Sequence, residues 1–149
     1  MFRGCSFHTI DSKGRIIIPA RFREVLKQTG GLDGVMVSRM DKSLFAYTFE
    51  EWNKIEAKIL SMAEKSAAMR RFRRVFIGGA FECLCDKQGR ILIPPSLRQY
   101  AEIEREIVLV GVLDHFEIWP RVNWENENNL MEEDMNNEEV RNEVAKLGL

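Results

Sequence analysis

In this sequence of 149 residues, cysteine and long apolar runs are scarce, and each scarcity excludes a class of protein. The three cysteines are odd in number and too few for a disulfide framework, which is typical of a reducing compartment. No apolar run approaches the roughly 18 residues that a membrane span requires, and the opening residues lack the pattern of a secretory signal. We therefore expect a water-soluble, cytoplasmic protein with no membrane partner.

Candidates for catalysis and metal binding are also few. His8 and His115 are the only histidines, and neither lies in a nucleophile, phosphate-loop or metal motif. Cys83 and Cys85 would share one face of a strand, but no further Cys or His provides the spacing of a zinc site, so we interpret both as packing residues. The sequence predicts no catalytic residue, no metal, no cofactor and no small-molecule substrate, and therefore no enzyme.

The net charge of −1 conceals an uneven distribution along the chain. Residues 121–149 carry three basic and eight acidic side chains, whereas residues 1–120 carry 19 basic and 15 acidic ones. A basic body followed by an acidic tail indicates a polyanionic partner. A solvated surface of mixed charge is the alternative interpretation.

The most informative feature is an internal repeat. The segment DSKGRIIIPARFR at 11–23 recurs as DKQGRILIPPSLR at 86–98, with a constant offset of 75. Asp, Gly, Arg, two Ile, Pro and the final Arg recur at fixed positions. Further along, Leu44–Tyr47 aligns with His115–Ile118, and each copy then reaches a tryptophan. The repeat therefore spans a whole module, with small insertions and deletions.

Each copy is predicted to form a β-turn-β-α-ββ module. Alternating β formers lead into an Asp-x-x-Gly-Arg turn, the apolar triplet after it is predicted to be a short buried strand, and proline then precedes a helix of about two turns. A hairpin completes the module, and in the first copy Gly30 and Gly31 lead into it. We expect an α+β protein built from two tandem modules.

Outside the modules the sequence predicts helices and a tail. Apolar residues between Glu50 and Phe76 have helical spacing without proline or glycine, and a second, strongly basic helix ends at Gly78-Gly79. Beyond Asn123 we expect a frayed acidic tail with one late helix at most. The predicted division is a first module at 1–52, a helical linker at 53–80, a second module at 81–124 and an acidic tail at 125–149.

The turns carry the candidate functional residues. Asp11 and Gly14 in the first turn, and Asp86 and Gly89 in the second, are predicted to be structural, because aspartate can bond turn amides and glycine permits positive φ. The side chains predicted to lie at the tips of the turns are Lys13 and Arg15 in the first, and Lys87 and Arg90 in the second.

Two Asp-x-x-x-Arg turns, each followed by an apolar triplet and proline, together with the opening Met-Phe-Arg-Gly, resemble the MraZ family. The resemblance covers nearly all of the chain except the acidic tail. It implies the swapped-hairpin fold shared with AbrB and SpoVT-type regulators, in which hairpins interlock to complete a barrel. It also implies a transcriptional regulator of the division and cell-wall gene cluster, often autoregulatory, that binds tandem promoter repeats as a ring-shaped oligomer.

For contact with DNA, the strongest candidates are Arg15 and Arg90, because the guanidinium fork fits guanine O6 and N7 or a phosphate. Lys13 and Lys87 would support them through phosphate, and Arg3 is a further candidate. The alternative is that each arginine pairs with the aspartate of its own turn and only locks that turn. Both could hold if one turn binds DNA and the other serves assembly.

A second basic surface is predicted on the linker helix, at Arg70, Arg71, Arg73 and Arg74. A solvated helix face, or pairing with acids of a neighbouring subunit, is the competing interpretation. A rotational ring would present its sites head to tail, which favours direct repeats in the DNA over a palindrome. The remaining alternative function is a ring-forming assembly protein with only nonspecific affinity for DNA.

Overall fold

Both copies of the repeat form the same order of strands and helices in the computed structural model. The structure describes residues 1–28, 33–63 and 66–149, so the predicted Gly30-Gly31 loop lies outside the described residues. In chain order the elements are β1 Cys5–Thr9, β2 Arg15–Ile17, α1 Ala20–Gln28, β3 Gly34–Met40, β4 Ser43–Tyr47, α2 Phe49–Ser61, α3 Ala67–Gly78, β5 Phe81–Leu84, β6 Arg90–Leu92, α4 Pro95–Tyr100, β7 Glu106–Gly111, β8 His115–Pro120, α5 Arg121–Asp134 and α6 Glu138–Ala145.

The two modules exchange strands. A six-stranded antiparallel sheet has the order β1-β7-β8-β4-β3-β5, and β2 pairs with β6 in a separate two-stranded ribbon. In both modules, therefore, the strands on either side of the Asp-Gly-Arg turn pair with the other module. This confirms the predicted exchange of hairpins. The predicted barrel is not closed, because β1 and β5 form the two edges of the large sheet.

The main core lies between the large sheet and the ribbon. The rings of Phe2, Phe22 and Phe116 contact one another with centroids 5.1–5.4 Å apart, and all three side chains are buried. The apolar triplets contribute to this core only in part. Ile16 and Ile18 are buried but Ile17 is 53% exposed, because side chains alternate between the faces of a strand. The prediction that the whole triplet is buried is therefore wrong at its middle residue.

The register of the second hairpin differs from the predicted alignment by one residue. Leu44 pairs with Ile118 and Ala46 pairs with Phe116 across the boundary between the modules. Within the β-hairpins, Met40 pairs with Ser43 and the Val112 amide donates to the His115 carbonyl, each across a two-residue turn. His115 is therefore the counterpart of Ser43, and Phe116 is the counterpart of Leu44. A shift of one residue moves a side chain to the other face of a sheet, so His115 lies on the face opposite the main core.

Helices α2 and α3 cover that second face at the first module. Tyr47, Trp52 and Phe76 form a separate buried cluster there, and the Ser38 hydroxyl donates a hydrogen bond to the Phe76 carbonyl at 2.6 Å. Helix α2 begins where the Thr48 side chain accepts a hydrogen bond from the Glu51 amide. The amphipathic helix predicted from apolar spacing is thus present and packs against the sheet.

Helices α5 and α6 follow the second hairpin as α2 and α3 follow the first. The prediction of a frayed tail with one late helix at most is therefore wrong. Helix α5 begins directly after Pro120, and Asn137 caps α6 by accepting hydrogen bonds from two backbone amides. Neither helix contains a buried residue, which is why apolar periodicity did not reveal them. The predicted division ended the modules at residues 52 and 124, so it placed α3, α6 and most of α2 and α5 outside them.

Candidate nucleic-acid interface

Each turn is ordered by its own aspartate and glycine. In the first turn, one carboxylate oxygen of Asp11 accepts hydrogen bonds from the amides of Lys13 and Arg15 at 2.9 and 2.8 Å. Gly14 has a φ of 89°, a conformation that strains residues with a Cβ. The second turn repeats this geometry around Asp86, whose carboxylate accepts from two amides at 2.8 and 3.0 Å.

The arginine of each turn pairs with the same aspartate. The Arg15 Nε donates to Asp11 Oδ2 at 2.7 Å, and the Arg90 Nε donates to Asp86 Oδ2 at 2.9 Å. Both arginines begin a strand, so they lie at the base of the turn. The prediction that they lie at its tip is therefore wrong. Within the described part of the chain, their terminal Nη groups make no hydrogen bond, and the ion pairs leave these groups available to a ligand.

The pKa values of both aspartates are lowered. For Asp11, the main cause is the hydrogen bond from the Arg15 amide, which outweighs the effect of burial and brings the pKa to about 2. The Arg90 amide is the main cause of the lowered pKa of Asp86. Both carboxylates are therefore ionised at neutral pH and balance their arginines, so the excess positive charge of the turns comes from Lys13 and Lys87 at their tips.

The outer face of the β2–β6 ribbon brings the two arginines together. Arg15 pairs with Leu92 and Ile17 pairs with Arg90, while the residues between them point into the core. Ile17 and Leu92 are 53% and 54% exposed. Because the strands rise by about 3.3 Å per residue, the two arginine positions lie roughly 7 Å apart along the ribbon. We call this surface, formed by Arg15, Ile17, Arg90 and Leu92, the ribbon face.

Each turn is also supported by an arginine of the other module, which the sequence analysis did not single out. A Cβ at Gly14 would lie 2.8 Å from the Arg98 guanidinium carbon, and one at Gly89 would lie 2.7 Å from an Nη of Arg23. The Arg98 Nε donates to a backbone carbonyl at 3.0 Å, whereas the Arg23 Nε is buried with no partner among the described residues. The recurrence of Arg23 as Arg98 at the end of the repeated segment was the available signal.

The other predicted DNA contacts lie away from the first turn. Arg3 is exposed at the end of β1 opposite that turn, where its carbonyl accepts a hydrogen bond from the Arg21 Nε at 3.4 Å. Helix α3, which carries Arg70, Arg71, Arg73 and Arg74, packs on β3 through Ser38 and thus on the second face of the sheet. The ribbon covers the first face. The structure therefore does not combine the predicted secondary basic surface with the turns.

The cysteines pack as predicted. Cys83 is buried in the main core and Cys85 packs against it, and burial raises the pKa of both thiols to about 12. Across residues 1–28, 33–63 and 66–149, no three His, Cys, Asp or Glu side chains are grouped to hold a metal ion. In the same ranges, no helix has both the length and the apolarity to cross a membrane.

Exchanged strands and paired Asp-Gly-Arg turns define a protein of the swapped-hairpin, AbrB-like class. The family model described as "MraZ protein, putative antitoxin-like" matches residues 1–75 and again residues 76–145, so that the first match ends within α3 and the second extends through α5 and α6. The chain belongs to the MraZ family. This is a family of transcriptional regulators and not of enzymes.

Relatives in several bacteria carry the name transcriptional regulator MraZ. The protein of Desulforapulum autotrophicum is 67% identical over 149 residues, and that of Desulfosudis oleivorans is 57% identical over 150 residues. The protein of Thermoanaerobacter sp. is 43% identical over 149 residues. All three alignments cover 100% of both chains, so the similarity extends through the acidic helices at the end.

Proposed function

We propose that this protein is a sequence-specific DNA-binding regulator that binds tandem direct repeats in a promoter as a ring-shaped homo-oligomer. It acts in the cytoplasm, at the nucleoid, on the division and cell-wall gene cluster that includes its own gene. The observation that carries the proposal is the ribbon face, where two aspartate-ordered turns bring Arg15 and Arg90 onto one surface.

The Asp–Arg pairs support this function because they orient the arginines. Each aspartate holds only the Nε, so the guanidinium group is fixed while its Nη groups remain directed to solvent or a ligand. A fixed fork loses less conformational entropy on binding a guanine edge or a phosphate than a mobile side chain does. Locking the turn and binding DNA are therefore compatible roles for Arg15 and Arg90.

The composition of the ribbon face also suits DNA. Arg15 and Arg90 lie beside the exposed Ile17 and Leu92, which offer apolar contact with sugars or with a thymine methyl group. Lys13 and Lys87 extend the positive charge towards the phosphates on either side. In this proposal the arginines recognise bases or phosphates, and the lysines act through phosphate alone.

Affinity requires more than one chain. A few basic contacts give nonspecific dissociation constants of about 10⁻⁴–10⁻⁶ M at physiological salt. A ring that presents identical ribbon faces at fixed spacing converts later contacts into intramolecular ones, with a gain of roughly 10²–10⁴. Because rotation relates successive subunits head to tail, the matching DNA is a series of short direct repeats.

Fluorescence anisotropy tests the proposal on a direct-repeat fragment from upstream of the protein's own gene, over a series of salt concentrations. Wild type is compared with Arg15→Ala and with Lys27→Ala, an equal loss of charge at an exposed position near the end of α1, outside the ribbon face. Oligomer mass is measured in parallel. We expect Arg15→Ala to lose tight, salt-sensitive binding in an intact oligomer, while Lys27→Ala binds as wild type does.

The alternative is a ring-forming assembly protein with only nonspecific affinity for DNA. The Asp–Arg ion pairs favour this assembly function, because the Nε donor of each guanidinium group is already bound by an aspartate and is not available to DNA. The same titration separates the two functions when a scrambled fragment of equal length is used as competitor. If the scrambled fragment competes as well as the repeats at every salt concentration, the assembly function replaces the proposed one.

A further inference from the structure

We propose that the exposed surface of helices α2 and α3 is a docking site for the α5–α6 hairpin of a second copy of this chain. The contact is head to tail, because one copy contributes its first helical hairpin and the next copy contributes its second. This inference deepens the proposed ring by assigning its interface, and it rests on that part of the proposed function.

The first side of the contact is basic and partly apolar. The segment 66–79, which contains α3, has four arginines and no acidic residue, whereas α2 has three acidic and two basic side chains, so the positive charge of this side lies on α3. Arg71 and Arg74 are exposed, and within the described residues no carboxylate lies within ion-pair distance of either. Met62 and Met69 on the same pair of helices are 54% and 43% exposed. Flexible, exposed methionines beside arginine are common at protein interfaces.

The second side is acidic and also partly apolar. Residues 121–149 have eight acidic side chains, of which Glu125 and Glu143 pair within the segment, with Arg121 and Lys146. The acids without an ion pair inside the described residues are Glu127, Glu132, Glu133, Asp134, Glu138 and Glu139. Large apolar side chains of this hairpin are exposed as well, namely Met131 at 60%, Leu147 at 75% and Leu149 at 87%.

The basic helix α3 and the acidic helix α5 lie over different strands within one chain. Helix α3 packs on β3 and α2 packs on β3 and β4, whereas α5 packs on β7 and β8. Helices α2 and α5 therefore cover adjacent strands, but β4 and β8 separate the strand under α3 from β7. Charge then decides which hairpins can meet between chains. Two basic hairpins repel each other, as do two acidic ones, whereas a basic and an acidic hairpin attract. A contact between unlike surfaces is heterologous, and such contacts close into rings when the rotation allows.

The difference in burial between the hairpins agrees with these roles. Helices α2 and α3 bury Trp52 and Phe76 against their own sheet and so form a stable surface. Helices α5 and α6 contain no buried residue, although helices of 14 and 8 residues are marginal in isolation. Docking on a neighbouring chain would bury the apolar side chains that this hairpin leaves exposed.

Complementary charge reversals test the docking site. One variant carries Arg71→Glu and Arg74→Glu, and the other carries Glu132→Lys and Glu133→Lys, all at exposed positions. Mass is measured by light scattering at about 0.15 M salt, and circular dichroism verifies the fold. We expect each variant alone to lose assembly and to fall to the mass of a single chain. A one-to-one mixture is expected to assemble again into rings with an even number of chains, because the two variants fit each other in alternation.

Either of two results would overturn the docking site. One is that each variant alone assembles as wild type does. The other is that the mixture of two folded variants stays at the mass of single chains. DNA provides the separate readout: the variants should bind a duplex with one repeat about as well as wild type, and should lose roughly 10²–10⁴ in affinity for tandem repeats. Absence of specific binding by the wild-type ring would instead overturn the proposed function and leave the docking site unaffected.

Discussion

The two helical hairpins occupy equivalent places after equivalent β-hairpins, yet one is packed and the other is presented to solvent. Trp52 in α2 is 3% exposed inside a buried cluster, whereas its counterpart Trp124 in α5 contacts Trp119 at 6.2 Å but is not fully buried. Three residues after each tryptophan, the first copy has Ile55 and the second has Glu127. Side chains on one helix face thus decide whether a repeated backbone element builds the core or a surface.

The largest expected difference between the two helical hairpins is in the stability lost when each tryptophan is replaced by alanine. Trp52→Ala should lower the free energy of unfolding by about 3–5 kcal/mol, because it empties a buried aromatic site. Trp124→Ala should cost about 1 kcal/mol, since its environment is partly exposed. Urea unfolding at one fixed protomer concentration measures both. Equal losses would show that the second hairpin is packed as firmly as the first.

The two turns provide a second comparison. Arg15→Ala and Arg90→Ala should each weaken binding to the repeat DNA by about 1–3 kcal/mol, because both guanidinium groups are held in the same way on the ribbon face. Lys87→Ala should weaken binding evenly across sequences and lower the salt slope by about 1. Anisotropy over a salt series measures all three. If one arginine variant binds as wild type does, its turn serves assembly instead of DNA recognition.

Replacing the turn glycines by alanine compares the stability of the two turns, with a smaller expected effect. Gly14→Ala and Gly89→Ala should each destabilise the protein by about 1–2 kcal/mol, because φ is 89° and 74° at these positions and the added Cβ would meet an arginine of the other module. Thermal unfolding measures the loss. Gly78→Ala is the matched control, since a Cβ there meets nothing within 4 Å. A control as unstable as the turn variants would contradict this account.

His115 distinguishes the second module from the first, which has Ser43 at the counterpart position. The ring stacks between Phe45 and Tyr47, with its nitrogens 2.8 Å from carboxylates of Asp114 and Glu117. Burial lowers the pKa of His115, but the hydrogen bonds and charges of Glu117 and Asp114 outweigh burial and raise it above 6.5.

A raised pKa in the folded state means that protonated His115 stabilises the fold. That contribution is complete below about pH 6.5 and is lost as pH rises through the folded-state pKa. Wild type should therefore exceed His115→Asn in melting temperature by more at pH 6 than at pH 8.5. A difference that stays constant over this range would show that the ring acts by packing alone.

Much of the module could be predicted from its repeated residues, and the failures have physical causes. Asp11 and Asp86 were assigned to turn structure because local side-chain bonds to nearby amides depend only on neighbouring residues. The alignment of Leu44 with His115 failed because the loops differ in length between the copies, which shifts the offset without altering composition. Arg23 and Arg98 were not assigned to the turns because their contacts cross from one module to the other.

By itself, the sequence determined the repeated module, the chemistry of its turns and the resemblance to the MraZ family, because these depend on residues close together in the chain. Only the tertiary structure decided that β1 pairs with β7 and that Arg15 and Arg90 share one face. It also decided that the basic helix lies on the other side of the sheet. Pairs such as Cys5 with Val110 join residues more than 100 positions apart, and such hydrogen bonds between backbones leave no local pattern of side chains to indicate them.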